Sequence, residues 1–131
     1  MATYKEVKGI TIQTKDEDPV VGGVAGASWS SGGDLNTARN ASGAAGANNS
    51  AALVFGGTTN SALTESYNGS SWTEVNDLNS DRQFPGGQGT YTAAICFGGE
   101  EPGLTAKTEL WDGTNWTEVN DLNTARYTMG S

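Results

Sequence analysis

The feature that most constrains this chain is a phrase it uses three times. Trp29–Arg39, Trp72–Arg82 and Trp116–Arg126 are versions of one segment, and their tryptophans lie 43 and 44 residues apart. Two further phrases keep the same beat. Phe55-Gly56-Gly57 returns as Phe97-Gly98-Gly99, and Glu65–Trp72 returns as Glu109–Trp116, each with Asn-Gly or Asp-Gly at its centre. Self-similarity at a period of about 40–50 residues signals stacked or radial repeat units, each too small to bury its own apolar face.

One period parses into four short strands. Asn40–Gly46 is rich in Gly and Ala and reads as an inner strand whose small side chains let backbones crowd together. Ala51–Phe55 is an apolar run stopped by Gly56-Gly57, which reads as a buried strand ending where the backbone needs unusual dihedrals. Leu63–Tyr67 alternates, Asn68-Gly69 is a hairpin signal, and Trp72–Val75 follows as the fourth strand. The second period repeats this with Thr92–Phe97, Gly98-Gly99, Thr108–Trp111, Asp112-Gly113 and Trp116–Val119. Four antiparallel strands per period describe one blade of a propeller.

Composition agrees. Nineteen glycines and abundant Ser, Thr and Asn argue against helices, since these residues are mediocre or poor helix formers and good turn formers. The regularly spaced aromatics argue for ordered burial rather than disorder. A net charge of −8 disfavours phosphate backbones and anionic membrane surfaces, so neither nucleic acid nor membrane insertion is expected. The longest apolar stretch, Ala51–Phe55, is far short of a membrane span, and the front of the chain has no apolar core of a secretory signal. The single cysteine, Cys96, stands where the other period has Val54 and reads as a small core residue.

The Gly-Gly doublet after an apolar strand, the aromatic before Asn/Asp-Gly, the Trp three residues beyond that Gly and the downstream Arg resemble the kelch repeat. The resemblance covers residues 29–131 and implies an all-β, kelch-like β-propeller of four-stranded antiparallel blades, about two per chain. It also implies that Gly56, Gly57, Trp72, Gly98, Gly99 and Trp116 are architectural, with Arg82 and Arg126 completing the repeat. The period is shorter than the usual kelch unit of about 50 residues, so the loops are trimmed. The opening Met1–Ile10 resembles the start of virion proteins of marine tailed phages, some of which carry short kelch-like units rich in Gly, Asn and Thr.

The expected organisation is an N-terminal arm and Gly/Ala linker over 1–28, then the repeat region over 29–131. That region holds units 40–82 and 83–126, with a spare Trp-to-Arg segment at 29–39. Two blades cannot close a ring, because propellers typically need four to eight. Head-to-tail association, with three chains giving a ring, is the favoured solution; a piece of a longer propeller and an open array capped by neighbours are the others. Residues 29–39 and 116–126 are redundant enough to exchange at such a junction.

The chain has no histidine and one cysteine, so it lacks the commonest general base, every Ser-His-Asp arrangement and the ligands of a structural zinc site. No catalytic residue, metal or cofactor is expected. Asp34, Asp77 and Asp121 recur in Asp-Leu-Asn and read as turn caps, with Glu65 and Glu109 as partners of the arginines. Asp16-Glu17-Asp18 reads as a solvated acidic linker. Recognition is expected where the periods differ. Thr58, Thr59 and Asn60 contrast with Glu100, Glu101 and Leu104, and Asn76 and Asn120 are expected on the same rim.

The expected function is a structural and adhesive module of a phage virion or tail appendage, showing its rim loops to a glycan or host receptor. Its partners would be itself and a neighbouring virion protein bound through residues 1–14. A cellular kelch-type interaction scaffold, cytoplasmic rather than virion-borne, is the alternative, and a carbohydrate-acting enzyme is the third reading.

Overall fold

The computed structural model describes residues 31–59 and 61–127. The expected arm and linker over 1–28, Trp29 and Asn60 lie outside the described residues. Eight strands run β1 (Gly43–Asn48), β2 (Ala51–Phe55), β3 (Thr64–Tyr67), β4 (Trp72–Val75), β5 (Gly86–Thr90), β6 (Ala93–Phe97), β7 (Thr108–Trp111) and β8 (Trp116–Val119). They form two four-stranded sheets, β1-β2-β3-β4 and β5-β6-β7-β8, each a simple antiparallel meander. The chain is therefore all-β among the described residues. These contain no helix long and apolar enough to cross a membrane. Both sheets fall within one structural unit.

The registers of the two sheets are copies. Phe55 pairs with Gly43 on one side and Thr64 on the other; Phe97 pairs with Gly86 and Thr108. The two inner strands, β1 and β5, lie against each other. Glycine is required at that contact: a Cβ on Gly87 would meet Phe55 Cζ at 2.6 Å and the Ala44 carbonyl oxygen at 2.7 Å. The expected inner strand begins three residues too early. Ala41 and the equivalent Phe84 both adopt a left-handed conformation, with φ of 58° and 54°, so neither inner strand starts before Gly43 or Gly86. The Asn68-Gly69 hairpin also differs from a two-residue turn. Tyr67 pairs with Trp72 and stacks on it at 5.0 Å, which leaves a loop over 68–71. There Asn68 Oδ1 accepts the backbone N–H groups of Ser70 and Ser71.

The core sits between the sheets. Leu53 and Phe55 of β2 and Ala45 of β1 are buried against the face of the second sheet that carries Ala94, Cys96, Trp111 and Trp116. Phe55 meets Trp116 edge-on, with centroids 4.9 Å apart and an interplanar angle of 68°. The Trp116 indole N–H reaches across to Thr64 Oγ1 at 3.1 Å, so its polar edge is satisfied inside the contact. Alternation along each strand thus points one face of the first sheet at the opposite face of the second.

Gly87→Ala is expected to destabilise the protein by about 1–3 kcal/mol through overpacking against Phe55 and the Ala44 backbone. Gly103→Ala, where an added Cβ meets nothing within 4 Å, serves as the control. Urea unfolding followed by tryptophan fluorescence should separate the two variants.

Candidate functional site

The densest polar constellation lies at the join between the sheets, and it is built from the repeated phrase. Leaving β4, the chain places Asp77 Oδ1 on the backbone N–H of Thr64, which caps the start of β3. The Leu78 N–H donates to Ala62 O at 3.0 Å, and the Arg82 N–H donates to Ser61 O at 3.1 Å. Gly57, held at φ 130°, donates its N–H to Arg82 O at 2.9 Å. The doublet therefore turns a backbone donor onto the arginine's own carbonyl and fixes the arginine's position.

From there the Arg82 side chain enters the second sheet. Its Nη2 donates to Glu109 Oε1 at 2.7 Å, and both side chains are fully buried. Its Nη1 donates to the carbonyls of Lys107 and Gly98, and Nε braces against Ser80 O. Glu109 Oε2 accepts two more bonds, from the Asn79 backbone N–H at 2.7 Å and from Asn79 Nδ2 at 2.8 Å. The Asn79 amide also donates to Trp116 O. A buried charge pair persists only when most of its remaining donors and acceptors are satisfied; here four of the five guanidinium N–H groups and both carboxylate oxygens have partners among the described residues.

The first sheet repeats this arrangement with a different donor. Arg39 Nη2 pairs with Glu65 Oε1 at 2.5 Å and Arg39 Nη1 donates to Leu63 O. The Asn36 N–H donates to Glu65 Oε2 and the Asn36 amide to Trp72 O. Trp72, which meets no preceding sheet among the described residues, gives its indole N–H to Gly33 O instead of to a threonine. Arg126, third in the series, is exposed. Its Nε braces on Thr124 O, but it meets no carboxylate among the described residues.

Cys96 lies beside this pair, directly across from Glu109 in the ladder. Burial pushes its thiol up to about 12, with Arg82 opposing and Glu109 adding to the shift. It is therefore a core residue held as the neutral thiol.

The loop residues anticipated for recognition behave in three ways. Thr58 Oγ1 donates to the Asn40 side chain at 2.6 Å and accepts the Asn40 backbone N–H, while Thr59 sits at φ 62°. Glu100 is tied into bridges with Gln83 and Leu104, and Glu101 pairs with Lys107 at 3.1 Å. Leu104 is 54% exposed. Asn76 is drawn out of the loop set: its amide donates to Thr114 O and Asn115 Oδ1 in the hairpin of the second sheet. Asn120 is exposed. Asn79 was missed in the sequence, although it recurs as Asn36 and Asn123 at the same distance from each Arg, and that recurrence was the available signal.

Between β1 and β5 runs an open groove of about 480 Å³, lined mainly by Ala and Gly, with Asn48 and Gln88 as its polar side chains. Among the described residues no three His, Cys, Asp or Glu side chains gather as a metal cluster. No protein-family model matches this sequence, and no curated protein matches it.

Two outcomes are expected. Glu109→Gln should cost about 3 kcal/mol, because it leaves the Arg82 charge buried without its counter-ion. Calorimetry or urea unfolding reads this directly. Native Cys96 should resist alkylation at pH 8 and react only on unfolding. Its raised folded pKa also sets a sign. Above about pH 9 the unfolded thiol loses a proton that the folded one keeps, so stability falls as pH rises towards 12. Cys96→Val should remove that component of the alkaline loss.

Proposed function

We propose that each four-stranded sheet is one blade of a kelch-like propeller and that the chain is a non-enzymatic structural module. The observation that carries this reading is the repeated join. The segment ahead of each sheet sends an arginine into a Glu on that sheet's third strand, with an Asn amide on the Trp carbonyl in both, and the second of these segments leaves the first sheet. A join that repeats in the same sense generates an array of sheets, and an array that curves closes into a ring.

Small inner strands suit the centre of such a ring. The groove between β1 and β5 would face its channel, lined by Ala and Gly because the backbones crowd there. The loops at the Gly-Gly end differ between the two units, through Thr58 and Thr59 in one and Glu100, Glu101 and Leu104 in the other. Differing loops on a uniform frame favour display over catalysis. The same composition suits a virion or tail appendage that meets a glycan or a host surface. The polar, uncharged Thr58-Thr59 loop supports this setting, together with the phage-like opening residues.

The test is the mass of the full chain in solution, followed by binding to a panel of bacterial surface polysaccharides. A ring predicts a discrete multiple of the 13.5 kDa chain, three-fold for six blades. Replacing Glu100–Leu104 with Gly and Ser should abolish polysaccharide binding without changing the mass. Retained binding would remove these loops from the recognition surface.

A further inference from the structure

We propose that Asp121–Arg126 is a pre-formed plug for the Glu65 socket of a second copy of this chain, and that residues 33–39 hold that socket closed within a free chain. The inference rests on the reading of the sheets as successive blades, and it names the groups that join one chain to the next.

The plug is already in place. Arg126 O accepts the Gly99 N–H at 2.8 Å, the Arg126 N–H donates to Thr105 O at 3.2 Å, and the Leu122 N–H donates to Ala106 O at 2.9 Å. Arg82 and Leu78 make the same three bonds to Gly57, Ser61 and Ala62 in the first sheet. Even the side-chain brace is shared, with Nε donating to the carbonyl two residues earlier in Arg39, Arg82 and Arg126. The difference lies beyond the brace. Arg82 goes on into a buried carboxylate, whereas Arg126 is exposed and meets none among the described residues.

The socket is matched to this plug by sequence. Glu65 is filled by a segment reading Asp34-Leu35-Asn36-Thr37-Ala38-Arg39, and Asp121–Arg126 repeats those six residues without change. The segment that fills the Glu109 socket reads instead Asp77-Leu78-Asn79-Ser80-Asp81-Arg82. The Glu65 socket therefore already accepts the chemistry that Arg126 carries.

The faces beside plug and socket match as well. Ile95 and Phe97 occupy the registers of the fully buried Leu53 and Phe55, yet they are only partly covered, and Leu110 beside Ile95 is 44% exposed. On the first sheet, Val54, Tyr67 and Trp72 stand where the second sheet has Cys96, Trp111 and Trp116, again partly covered rather than buried. Laying one copy's second sheet on another copy's first sheet repeats the contact that already joins the two sheets inside the chain. Such an interface is heterologous and propagates head to tail. Arg39 must leave Glu65 for Arg126 to enter, which makes association an exchange of one arginine for an identical one.

The experiment is sedimentation or native mass spectrometry of the full chain over a concentration series, with Arg126→Ala, Arg39→Ala, Asn36→Ala and the Arg39→Ala/Arg126→Ala pair. Tryptophan fluorescence checks each fold. Arg126→Ala removes an exposed side chain and should fold normally while weakening association at least roughly ten-fold. Arg39→Ala should open the socket and strengthen association, an effect lost in the double variant. If Arg39→Ala does not fold, Asn36→Ala, which loosens only the bond to Trp72 O, carries the same expectation. Association unchanged by Arg126→Ala would overturn the plug and leave the blade reading standing. A monomeric native chain whose Arg39→Ala or Asn36→Ala form associates through Arg126 would support the plug and overturn the native ring. Monomers throughout would overturn both.

Discussion

The structure depends on a buried ion pair that two sheets share. Arg82 is held by backbone bonds to the first sheet and ends on Glu109 of the second, so neither sheet satisfies its own charged group. Burying both charges is costly, and an apolar pair of similar volume is often at least as stable. What the pair supplies instead is register. The guanidinium must meet two carbonyls and a carboxylate at once, and the carboxylate must also meet Asn79, so small offsets of one sheet leave buried groups unsatisfied. The apolar contact between Phe55 and Trp116 is less exacting, and it supplies the driving force that the polar network aligns.

Around that join the sequence is economical. The doublets are glycine because a donor must turn back onto the arginine carbonyl from a positive φ, and the inner strands are small because Phe55 packs on Gly87 from the neighbouring sheet. Trp is needed at the start of β4 and β8 because one side chain must cover apolar area and also place an N–H. For Trp116 that N–H reaches Thr64. In the spare leading segment the same parts are reused against Glu65. The repeat is therefore better described as a connector followed by a sheet than as a sheet alone.

Most of the strand content was legible because its signals are local. Ala51–Phe55, Trp72–Val75, Thr108–Trp111 and Trp116–Val119 stand where alternation and turn residues put them. The inner strands were less legible. A Gly/Ala run has no alternation to read, and the left-handed Ala41 that delays β1 gives no sign in its side chain. The role of Arg and Glu was suggested by their recurrence, but their burial was not, since isolated charged residues are read as exposed. Asn79 shows the same limit: its three bonds converge from residues 30 and 37 positions away, and no window along the chain contains them.

Arg82 and Glu109 act as one element joining the sheets. A double-mutant cycle tests this most directly, with Arg82→Met, Glu109→Gln and the pair compared by urea unfolding of the full chain. A coupling of at least about 2 kcal/mol is expected, because each single change strands the other partner in the interior. A coupling near zero, with the two costs simply adding, would contradict it and leave the sheets held by apolar packing alone.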